Sequence, residues 1–325
     1  MTSPEPKVAV VLTCYNEGPY IGAAVRSVLK QTRADLVEEV VIADDGSKAD
    51  TVAILNEIET WDPRIRVLYG AGRAGLPAQR NLAIENTHSP VLAILDGDDL
   101  WTDDKLERQL PVLTADPNVG LVYSGYFTFA FDRLDTAHRA FVRDITACPD
   151  LPRAYFLNDP PIIPSTALIR RSAFEACGRF DATVRVFEDS DLFMRLSRVC
   201  RFRFVDAALL YKRTHSNSIT GARKDLMKHH ALVAFRAAAD DPRLLPLVPR
   251  RLAERARKLG NQSFLLGDVT AARRFLKFAT RSDPTNLRAW ASLIVACCFA
   301  RPAAYLMRSQ LRSRRVALGV VEPCS

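Results

Sequence analysis

Three carboxylates lie within four positions in the middle of the chain, at Asp96, Asp98 and Asp99. They follow an apolar run, residues 91–95, that predicts a buried strand. Carboxylates this close repel one another, and removing them from water is unfavourable unless a positive group joins them. A divalent cation with oxygen ligands would meet this need, and Gly97 permits the turn that lets two acids face one ion. The alternative is a solvated acidic turn that caps the next helix.

Strands and helices alternate over the first part of the chain and would bring several polar groups together. Strands are predicted to begin near residues 7, 38, 65 and 91, each followed by a helical pattern. This order predicts an α/β fold with a mostly parallel sheet and helices on both faces. Ligands of such sheets bind beyond the carboxyl ends of the strands. We therefore expect Tyr15, Asn16, Asp44, Asp45 and the Asp96 cluster to meet at one edge.

A glycine motif after the third strand supports a competing interpretation. Gly70, Gly72 and Gly75 form a literal GxGxxG, and Asp96 follows Gly75 by 21 residues, as in dinucleotide-binding proteins. However, the motif belongs to the third βα unit rather than the first, and two further acids accompany Asp96 where the ribose-binding acid should be single. An NAD-dependent dehydrogenase is therefore a distant alternative.

Four segments jointly resemble the family 2 glycosyltransferases of the GT-A fold. They are Val10-Val-Leu-Thr-Cys-Tyr-Asn-Glu17, Asp44-Asp-Gly-Ser47, Gly75-Leu-Pro-Ala-Gln-Arg-Asn81 and Asp96-Gly-Asp-Asp99. The resemblance spans residues 8–215, and one departure is Gln79, where the family commonly has alanine. It implies inverting transfer of a sugar from a nucleotide-diphosphate donor, with a UDP-sugar expected, to a hydroxyl acceptor.

The resemblance also implies roles for the residues at the strand ends. Asp98, assisted by Asp96, would hold Mn²⁺ or Mg²⁺, which neutralises the charge of the departing diphosphate. The residues expected to bind the donor nucleotide are Thr13, Tyr15, Asn16, Glu17, Asp44, Asp45, Arg80 and Asp96. Asp45 is expected to accept a hydrogen bond from the base. Arg80 is expected near the base or phosphates or, alternatively, paired with a surface acid.

A second acidic group, Glu188-Asp189-Ser-Asp191, begins a predicted helix and resembles the Glu-Asp motif of the family. Asp189 is the candidate general base that activates the acceptor hydroxyl during inversion. Glu188, Asp99 and Trp101 are expected to support the site or contact the acceptor. The alternative is that the acids of this group complement the positive end of the helix.

His215 belongs to a Tyr-x-x-x-His-x-x-Ser pattern that begins at Tyr211. This pattern resembles a segment that closes over the donor diphosphate in many members of the family. His215 is therefore expected as a third metal or phosphate ligand, and a solvated surface histidine is the alternative.

The net positive charge of the chain comes from its C-terminal third. Residues 222–325 carry 20 Lys and Arg against 7 Asp and Glu, whereas residues 1–221 carry 25 against 30. We divide the chain accordingly into a catalytic domain, 1–221, and a basic helical region, 222–325. Such a basic segment favours an anionic partner, and we expect a membrane surface rather than nucleic acid.

Two patterns characterise the basic region. Residues 259–290 resemble one tetratricopeptide-like helical hairpin, which would pack on the catalytic domain or a partner because one repeat cannot bury its own face. Beyond it, an apolar segment, 293–307, precedes Arg308, Arg312, Arg314 and Arg315. That order is typical of an interfacial membrane segment, and a terminal core helix with solvated arginines is the alternative.

The cysteines and the apolar runs bear on location. The 7 cysteines include no CxxC pair and no zinc-type spacing, which favours a reducing compartment. The longest uncharged run of the tail, residues 290–300, is too short for a membrane span of about 20 residues, and no signal peptide is predicted. We expect a cytoplasmic protein, peripheral at the inner face of the cell membrane if the tail binds there.

These patterns predict a metal-dependent glycosyltransferase whose acceptor is a glycan or a lipid-linked polysaccharide intermediate. The second hypothesis is a non-catalytic protein that binds a nucleotide-sugar and acts as a scaffold through its helical tail. Asp96, Asp98 and Asp189 argue against the scaffold, because a scaffold has no need of a general base.

Overall fold

A computed structural model gives the fold of the chain. The described residues are 5–70, 72–130, 133–158, 162–214 and 226–298. The chain divides into two compact units, Met1–Arg223 and Lys224–Ser325. Several predicted residues lie outside the described ones, namely His215, Arg308, Arg312, Arg314 and Arg315.

The first unit combines one sheet with seven helices in its described residues. The strands are β1 (Val8–Cys14), β2 (Val37–Asp44), β3 (Ile65–Tyr69), β4 (Val91–Asp96), β5 (Leu100–Trp101), β6 (Val119–Ala130), β7 (Arg133–Arg139), β8 (Leu168–Arg170) and β9 (Arg201–Thr214). The helices are α1 (Gly18–Leu29), α2 (Ala49–Glu59), α3 (Leu76–Glu85), α4 (Lys105–Thr114), α5 (Leu151–Leu157), α6 (Arg171–Cys177) and α7 (Glu188–Val199).

The sheet has the strand order β3-β2-β1-β4-β8-β6-β9-β5, and β7 pairs with β6. Strands β3, β2, β1 and β4 are parallel, as the βαβ alternation predicts. Beyond β4 the sheet is mixed, because β8 runs antiparallel to β4 and β6 whereas β9 runs parallel to β6. The predicted α/β class with a helical C-terminal region is confirmed, and parallel pairing dominates its first half.

Strand β1 lies in the middle of the parallel part, and all seven of its residues are buried. Val8, Val10 and Leu12 belong to one core with Ile21 and Val25 of α1. The alternate residues of the strand are buried on the opposite face of the sheet. A strand covered on both faces consists of continuous apolar sequence, which is why it can be recognised without an alternating pattern.

Residues 162–170 have a strand-like composition, but only the last three of them form a strand. Pro164–Thr166 forms a turn of 3₁₀ helix, and the strand is limited to β8. Proline has no N–H to donate to a strand partner, which is consistent with the late start of β8. In contrast, β9 is long, from Arg201 as far as Thr214, and so reaches the Asp96 cluster.

The second unit is helical throughout its described residues. Its helices are α8 (Leu226–Asp240), α9 (Val248–Leu265), α10 (Val269–Ser282) and α11 (Leu287–Cys298). Helices α9 and α10 pack closely, since a Cβ at Gly260 would lie 2.7 Å from Leu276 Cγ. Asp268 caps α10, with its carboxylate accepting from Ala271 N at 2.9 Å. None of the helices in the described residues is long and apolar enough to cross a membrane.

Candidate active site

The carboxyl ends of the parallel strands bring the predicted polar residues to one edge of the sheet. Thr13 is in register with Asp96 on β4, and Cys14 is in register with Asp44 on β2. The loops that follow β1, β2 and β4 therefore leave the sheet side by side. Thr13 itself is 8% exposed, and its carbonyl oxygen lies against Gly97.

Asn16 joins the first loop to the second. Its backbone N–H donates to Ser47 Oγ at 2.8 Å, and its Oδ1 accepts from Lys48 N at 2.9 Å. Asn16 adopts the left-handed conformation with φ of 57°, which asparagine tolerates better than most residues. The preceding Tyr15 is 41% exposed, with the Arg73 guanidinium 5.7 Å from its ring centroid.

Asp44 and Asp45 have different environments. Asp44 is 1% exposed, and its Oδ2 accepts from the backbone N–H groups of Gly46 and Ser47. Through Oδ2 it therefore shapes the turn, whereas its Oδ1 is buried and has no hydrogen-bond partner among the described residues. Asp45 is half-buried, and it accepts from Ala74 N at 2.7 Å and Gly75 N at 3.0 Å.

These two backbone donors also bear on the glycine motif. In a dinucleotide-binding loop the N–H groups before the helix receive the pyrophosphate. Here the N–H groups of Ala74 and Gly75 are directed at Asp45, and the motif serves to position that acid. This arrangement removes the basis of the dehydrogenase alternative.

Glu17 joins the three carboxylates that follow β4. A Cβ at Gly97 would overlap Glu17 Oε2 and lie 2.8 Å from Thr13 O, so glycine is required at this position. The Oε2 atom of Glu17 is buried and has no hydrogen-bond partner in the described part of the chain. Burial, followed by the charges of Asp98 and its neighbours, raises the pKa of Glu17 well above its ordinary value.

Asp99 is fully buried beneath this cluster. Its Oδ1 accepts from Arg213 N at 2.9 Å, and its Oδ2 lies 4.0 Å from Lys212 Nζ. Burial raises the pKa of Asp99 to about 7; Lys212 opposes this shift, while Asp98 and Asp96 add to it. Asp99 is therefore a supporting residue that anchors the end of β9, and it has no surface for an acceptor.

Arg80 connects the two acidic groups of the site. It is 1% exposed, and its Nη2 lies 2.6 Å from Asp96 Oδ1 while its Nη1 lies 2.7 Å from Glu188 Oε1. Asp189 is close enough to raise the pKa of Arg80 further. Arg80 therefore pairs with the buried Glu188 and the partly exposed Asp96, so it is not paired with a surface acid, and its buried guanidinium is occupied by these two carboxylates.

The charge of Arg80 acts differently on its two partners. Burial would raise the pKa of Asp96, but the charges of Arg80 and Lys212 outweigh it, and the pKa lies below its usual value. Burial also raises the pKa of Glu188, and there Arg80 opposes the shift without reversing it. Asp96 is thus held ionised on the donor side.

The three acids at the start of α7 differ in their interaction partners. Glu188 pairs with Arg80, Asp191 pairs with Arg195 at 2.8 Å, and Asp189 Oδ1 accepts from Ser190 N at 2.7 Å. Asp189 is half-buried, whereas its two acidic neighbours are buried. Phe187 precedes them with φ of 62°, a conformation that a large residue keeps only where its surroundings impose it.

Trp101 supports the site from the core. It is 2% exposed, and its indole N–H donates to Ser165 O at 3.0 Å. The hydroxyl of Ser165 in turn accepts from Asp96 N at 3.1 Å. Trp101 is therefore a buried supporting residue, and it positions Asp96 through Ser165.

The carboxylates of Asp96 and Asp98 are suitable oxygen ligands for a divalent cation that also binds phosphate oxygens. In the described residues no three His, Cys, Asp or Glu side chains form a protein-only metal site. Such a cage is not required, because Mg²⁺ is commonly bound by one or two carboxylates together with substrate phosphates. The buried Oε2 of Glu17 and the raised pKa of Asp99 mark an excess of negative charge that a cation would offset.

The fold and these residues define an α/β protein with an acidic candidate active site at the carboxyl edge of its parallel strands. Residues 9–178 match the protein family described as glycosyl transferase family 2. The chain therefore belongs to this family, and the predicted resemblance is confirmed.

Two curated relatives match part of the chain. One is the putative teichuronic acid biosynthesis glycosyltransferase TuaG of Bacillus subtilis, 37% identical over 132 residues, which are 41% of this chain and 51% of TuaG. The other is the UDP-Glc:alpha-D-GlcNAc-diphosphoundecaprenol beta-1,3-glucosyltransferase WfgD of Escherichia coli, 33% identical over 37% of this chain and 45% of WfgD. The chain thus spans about half the length of these relatives.

Two solved structures share the fold over nearly the whole chain. TarS 1-349 of S. aureus in complex with UDP-GlcNAc has a TM-score of 0.61 at 17% identity, covering 94% of this chain and 92% of that one. The mannosyltransferase PcManGT of Pyrobaculum calidifontis, in complex with GDP-Man and Mn²⁺, has a TM-score of 0.60 at 18% identity. This match covers 93% of this chain and 84% of PcManGT. At these identities the likeness establishes the fold, which is the predicted GT-A fold.

Four residues that sequence reasoning misses lie at the site. They are Gln79, Ser165, Lys212 and Arg213. Gln79 stands out in the sequence only as a departure from the family pattern, whereas its buried bond to Asp45 is a long-range contact. Lys212 and Arg213 lie inside the pattern that ends beyond His215, which is a signal for them, but their contacts depend on the full length of β9.

Proposed function

We propose that this protein transfers a sugar from a nucleotide-diphosphate sugar, with a UDP-sugar as the expected donor, to a hydroxyl acceptor with inversion. The observation that carries the proposal is the Arg80 bridge. One buried guanidinium holds Asp96, on the proposed donor side, and Glu188, the neighbour of the proposed base Asp189. In this proposal the donor and acceptor sites would lie beside one another, as group transfer requires.

The donor nucleotide would lie over the first two βα loops. The exposed ring of Tyr15 offers a surface on which a base can stack, and Asp45 offers an acceptor for a base N–H group. Asn16 fixes the first loop against the second and so sets the spacing of these two contacts. The bound UDP-GlcNAc of TarS and GDP-Man of PcManGT support a nucleotide-sugar as the ligand class.

A divalent cation would be held by Asp98 with Asp96, close to the buried carboxyl group of Glu17. When bound, the cation would neutralise the diphosphate leaving group. The Mn²⁺ of PcManGT supports this assignment. Arg80 and Ser165 would keep Asp96 ionised and oriented during the reaction.

Asp189 would remove the proton from the acceptor hydroxyl. A hydroxyl is a weak nucleophile at neutral pH, and a positioned carboxylate raises its reactivity as the new bond forms. Glu188 and Asp191 are buried, whereas Asp189 is half-buried and is therefore the acid of the motif that can face an acceptor. The same edge of the sheet would bind donor and acceptor.

The acceptor is proposed to be a glycan or a lipid-linked intermediate of polysaccharide synthesis. The names of TuaG and WfgD support this class, since one refers to teichuronic acid and the other to a diphosphoundecaprenol-linked sugar. Parts of the same sheet edge, beyond the loops that bind the donor, would recognise the acceptor.

The metal assignment predicts that a nucleoside diphosphate binds much more tightly with Mn²⁺ or Mg²⁺ than with EDTA. Asp98→Asn is expected to abolish this difference, because an amide cannot neutralise the cation. Titration calorimetry with UDP, with and without Mn²⁺, measures it. Asp103→Asn, which alters an exposed acid five positions along the chain, should keep the wild-type metal dependence. Equal metal dependence in Asp98→Asn would remove Asp98 from the site.

We also propose that the second unit binds an anionic membrane surface. Helix α11 exposes Leu287, Trp290 and Ile294 at helical spacing, with exposed fractions of 79%, 43% and 55%. Helices α10 and α11 also carry exposed cationic residues, namely Lys277, Arg281 and Arg288. Aromatic and aliphatic side chains next to basic ones are the combination that binds at the interface of an anionic bilayer.

Removing the three cationic charges is expected to weaken membrane binding strongly. Each Lys or Arg near an anionic surface contributes about 1 kcal/mol. The triple variant Lys277→Gln, Arg281→Gln and Arg288→Gln should therefore lose roughly 3 kcal/mol, or about a hundredfold, if all three reach the headgroups. Sedimentation with phosphatidylglycerol-containing vesicles measures binding, and high salt should reproduce the effect of the variant. If the wild type fails to sediment at low salt, the membrane proposal is wrong.

A further inference from the structure

Gln79 is a buried residue of α3 whose side chain contacts the acid proposed to read the base. It is 3% exposed, and its Nε2 donates to Asp45 Oδ1 at 2.9 Å. The role assigned to this contact rests on the proposed function, in which Asp45 meets the nucleotide base.

The hydrogen bonds to Asp45 leave little capacity for a ligand. Oδ1 accepts from Ala74 N at 2.7 Å and from Gln79 Nε2, whereas Oδ2 accepts from Gly75 N at 3.0 Å. A carboxylate offers about four acceptor positions, two on each oxygen. Among the described residues, Oδ1 is therefore saturated, and Oδ2 retains one position for a further donor.

The packing around Gln79 fixes the direction of its amide. A Cβ at Gly70 would lie 2.8 Å from Gln79 Nε2 and 2.8 Å from Asp44 O, so this glycine leaves the space that the amide fills. The other end of the amide, Oε1, is buried and has no hydrogen-bond partner in the described residues. An unsatisfied buried carbonyl lowers the stability of the fold. This cost is explained if the amide is retained for its hydrogen bond to Asp45.

We propose that Gln79 restricts Asp45 to one further hydrogen bond and thereby selects a uracil-type base over guanine. Uracil presents a single imide N–H, which matches the one remaining position on Oδ2. Guanine presents two adjacent N–H donors, which match a carboxylate with one position available on each oxygen. Without the Gln79 amide, Oδ1 would also have a position available, and Asp45 could accept both guanine donors.

The test compares UDP and GDP binding to the full-length protein by titration calorimetry with Mn²⁺ present. The wild type is expected to prefer UDP. In Gln79→Met, whose side chain fills a similar volume without a donor, the ratio of the GDP to the UDP dissociation constant should fall by about tenfold, the size of one hydrogen bond. Gln79→Ala should lower the ratio in the same direction, which guards against a packing effect peculiar to methionine.

Asn86→Ala is the matched control, because it removes a side-chain bond to Leu82 O at the end of the same helix without touching Asp45. A purely structural role for Gln79 would weaken both nucleotides equally and lower the melting temperature, leaving the ratio unchanged. An unchanged ratio in both Gln79 variants, or a wild type that prefers GDP, overturns this inference alone. A wild type that binds neither nucleotide overturns the proposed function as well.

Discussion

Replacing Asp189 with asparagine is expected to lower turnover by about 10²–10⁴-fold, the usual contribution of a positioned general base. Donor affinity should remain nearly unchanged, because the proposed donor contacts lie on the loops after β1, β2 and β4. The asparagine keeps the shape of the side chain and its bond from Ser190 N, so the fold of α7 should persist. The variant therefore separates chemistry from binding.

Turnover can be measured before the acceptor is identified, because water can replace the acceptor in slow hydrolysis of the donor. Release of nucleoside diphosphate is followed for the wild type and Asp189→Asn, and the donor dissociation constant is measured for both. Asp206→Asn, which alters an exposed acid on β9, is the matched control. A large loss of donor binding in Asp189→Asn would instead make Asp189 a structural residue or a metal ligand.

Replacing Arg80 with methionine is expected to destabilise the protein by about 3–5 kcal/mol, since it leaves the buried Glu188 and the partly buried Asp96 without their cation. Asp96 and Glu188 would then share a buried region with no guanidinium between them. Arg80→Lys should recover only part of the loss, because an ammonium cannot bridge two carboxylates with the planar geometry of a guanidinium. The free energy of unfolding from urea titration measures both variants.

Arg108→Met supplies the comparison for Arg80. Arg108 pairs with Asp104 on the surface of α4, where its side chain is 55% exposed. A pair of this kind contributes about 0.3–0.5 kcal/mol. If Arg80→Met lost no more stability than Arg108→Met, Arg80 would not be the residue that holds the two acidic groups together.

The centre of the parallel half of the sheet could be predicted because β1 and β4 are buried on both faces. Their sequences are therefore continuous apolar runs, as in β1 and β4, and helices at regular spacing separate them. The other half could not be predicted in full. The strand β5 has two residues, and it exists because Leu100 and Trp101 pair with Tyr211 and Leu210 of β9. No local pattern specifies a pairing over such a separation.

The candidate site shows the same division between local and long-range information. Asp98 and Asp189 could be selected because acids at a strand end and at a helix start are local patterns. The partner of Arg80 could not, since Glu188 lies 108 residues away along the chain. Trp101 lies beside the acidic cluster in the sequence, which favours a position near the acceptor. Its side chain is buried in the core instead, because β5 pairs with β9.

The most direct test of the proposed transferase is the release of nucleoside diphosphate from a panel of nucleotide-sugars by the full-length protein. The enzyme is expected to release it from at least one donor, with UDP-sugars expected first, in the presence of Mn²⁺ and not in EDTA. Asp98→Asn and Asp189→Asn should each suppress the release. If the wild type binds a nucleotide-sugar but releases no nucleoside diphosphate, with or without candidate glycan acceptors, the protein is a binding scaffold and the catalytic account is contradicted.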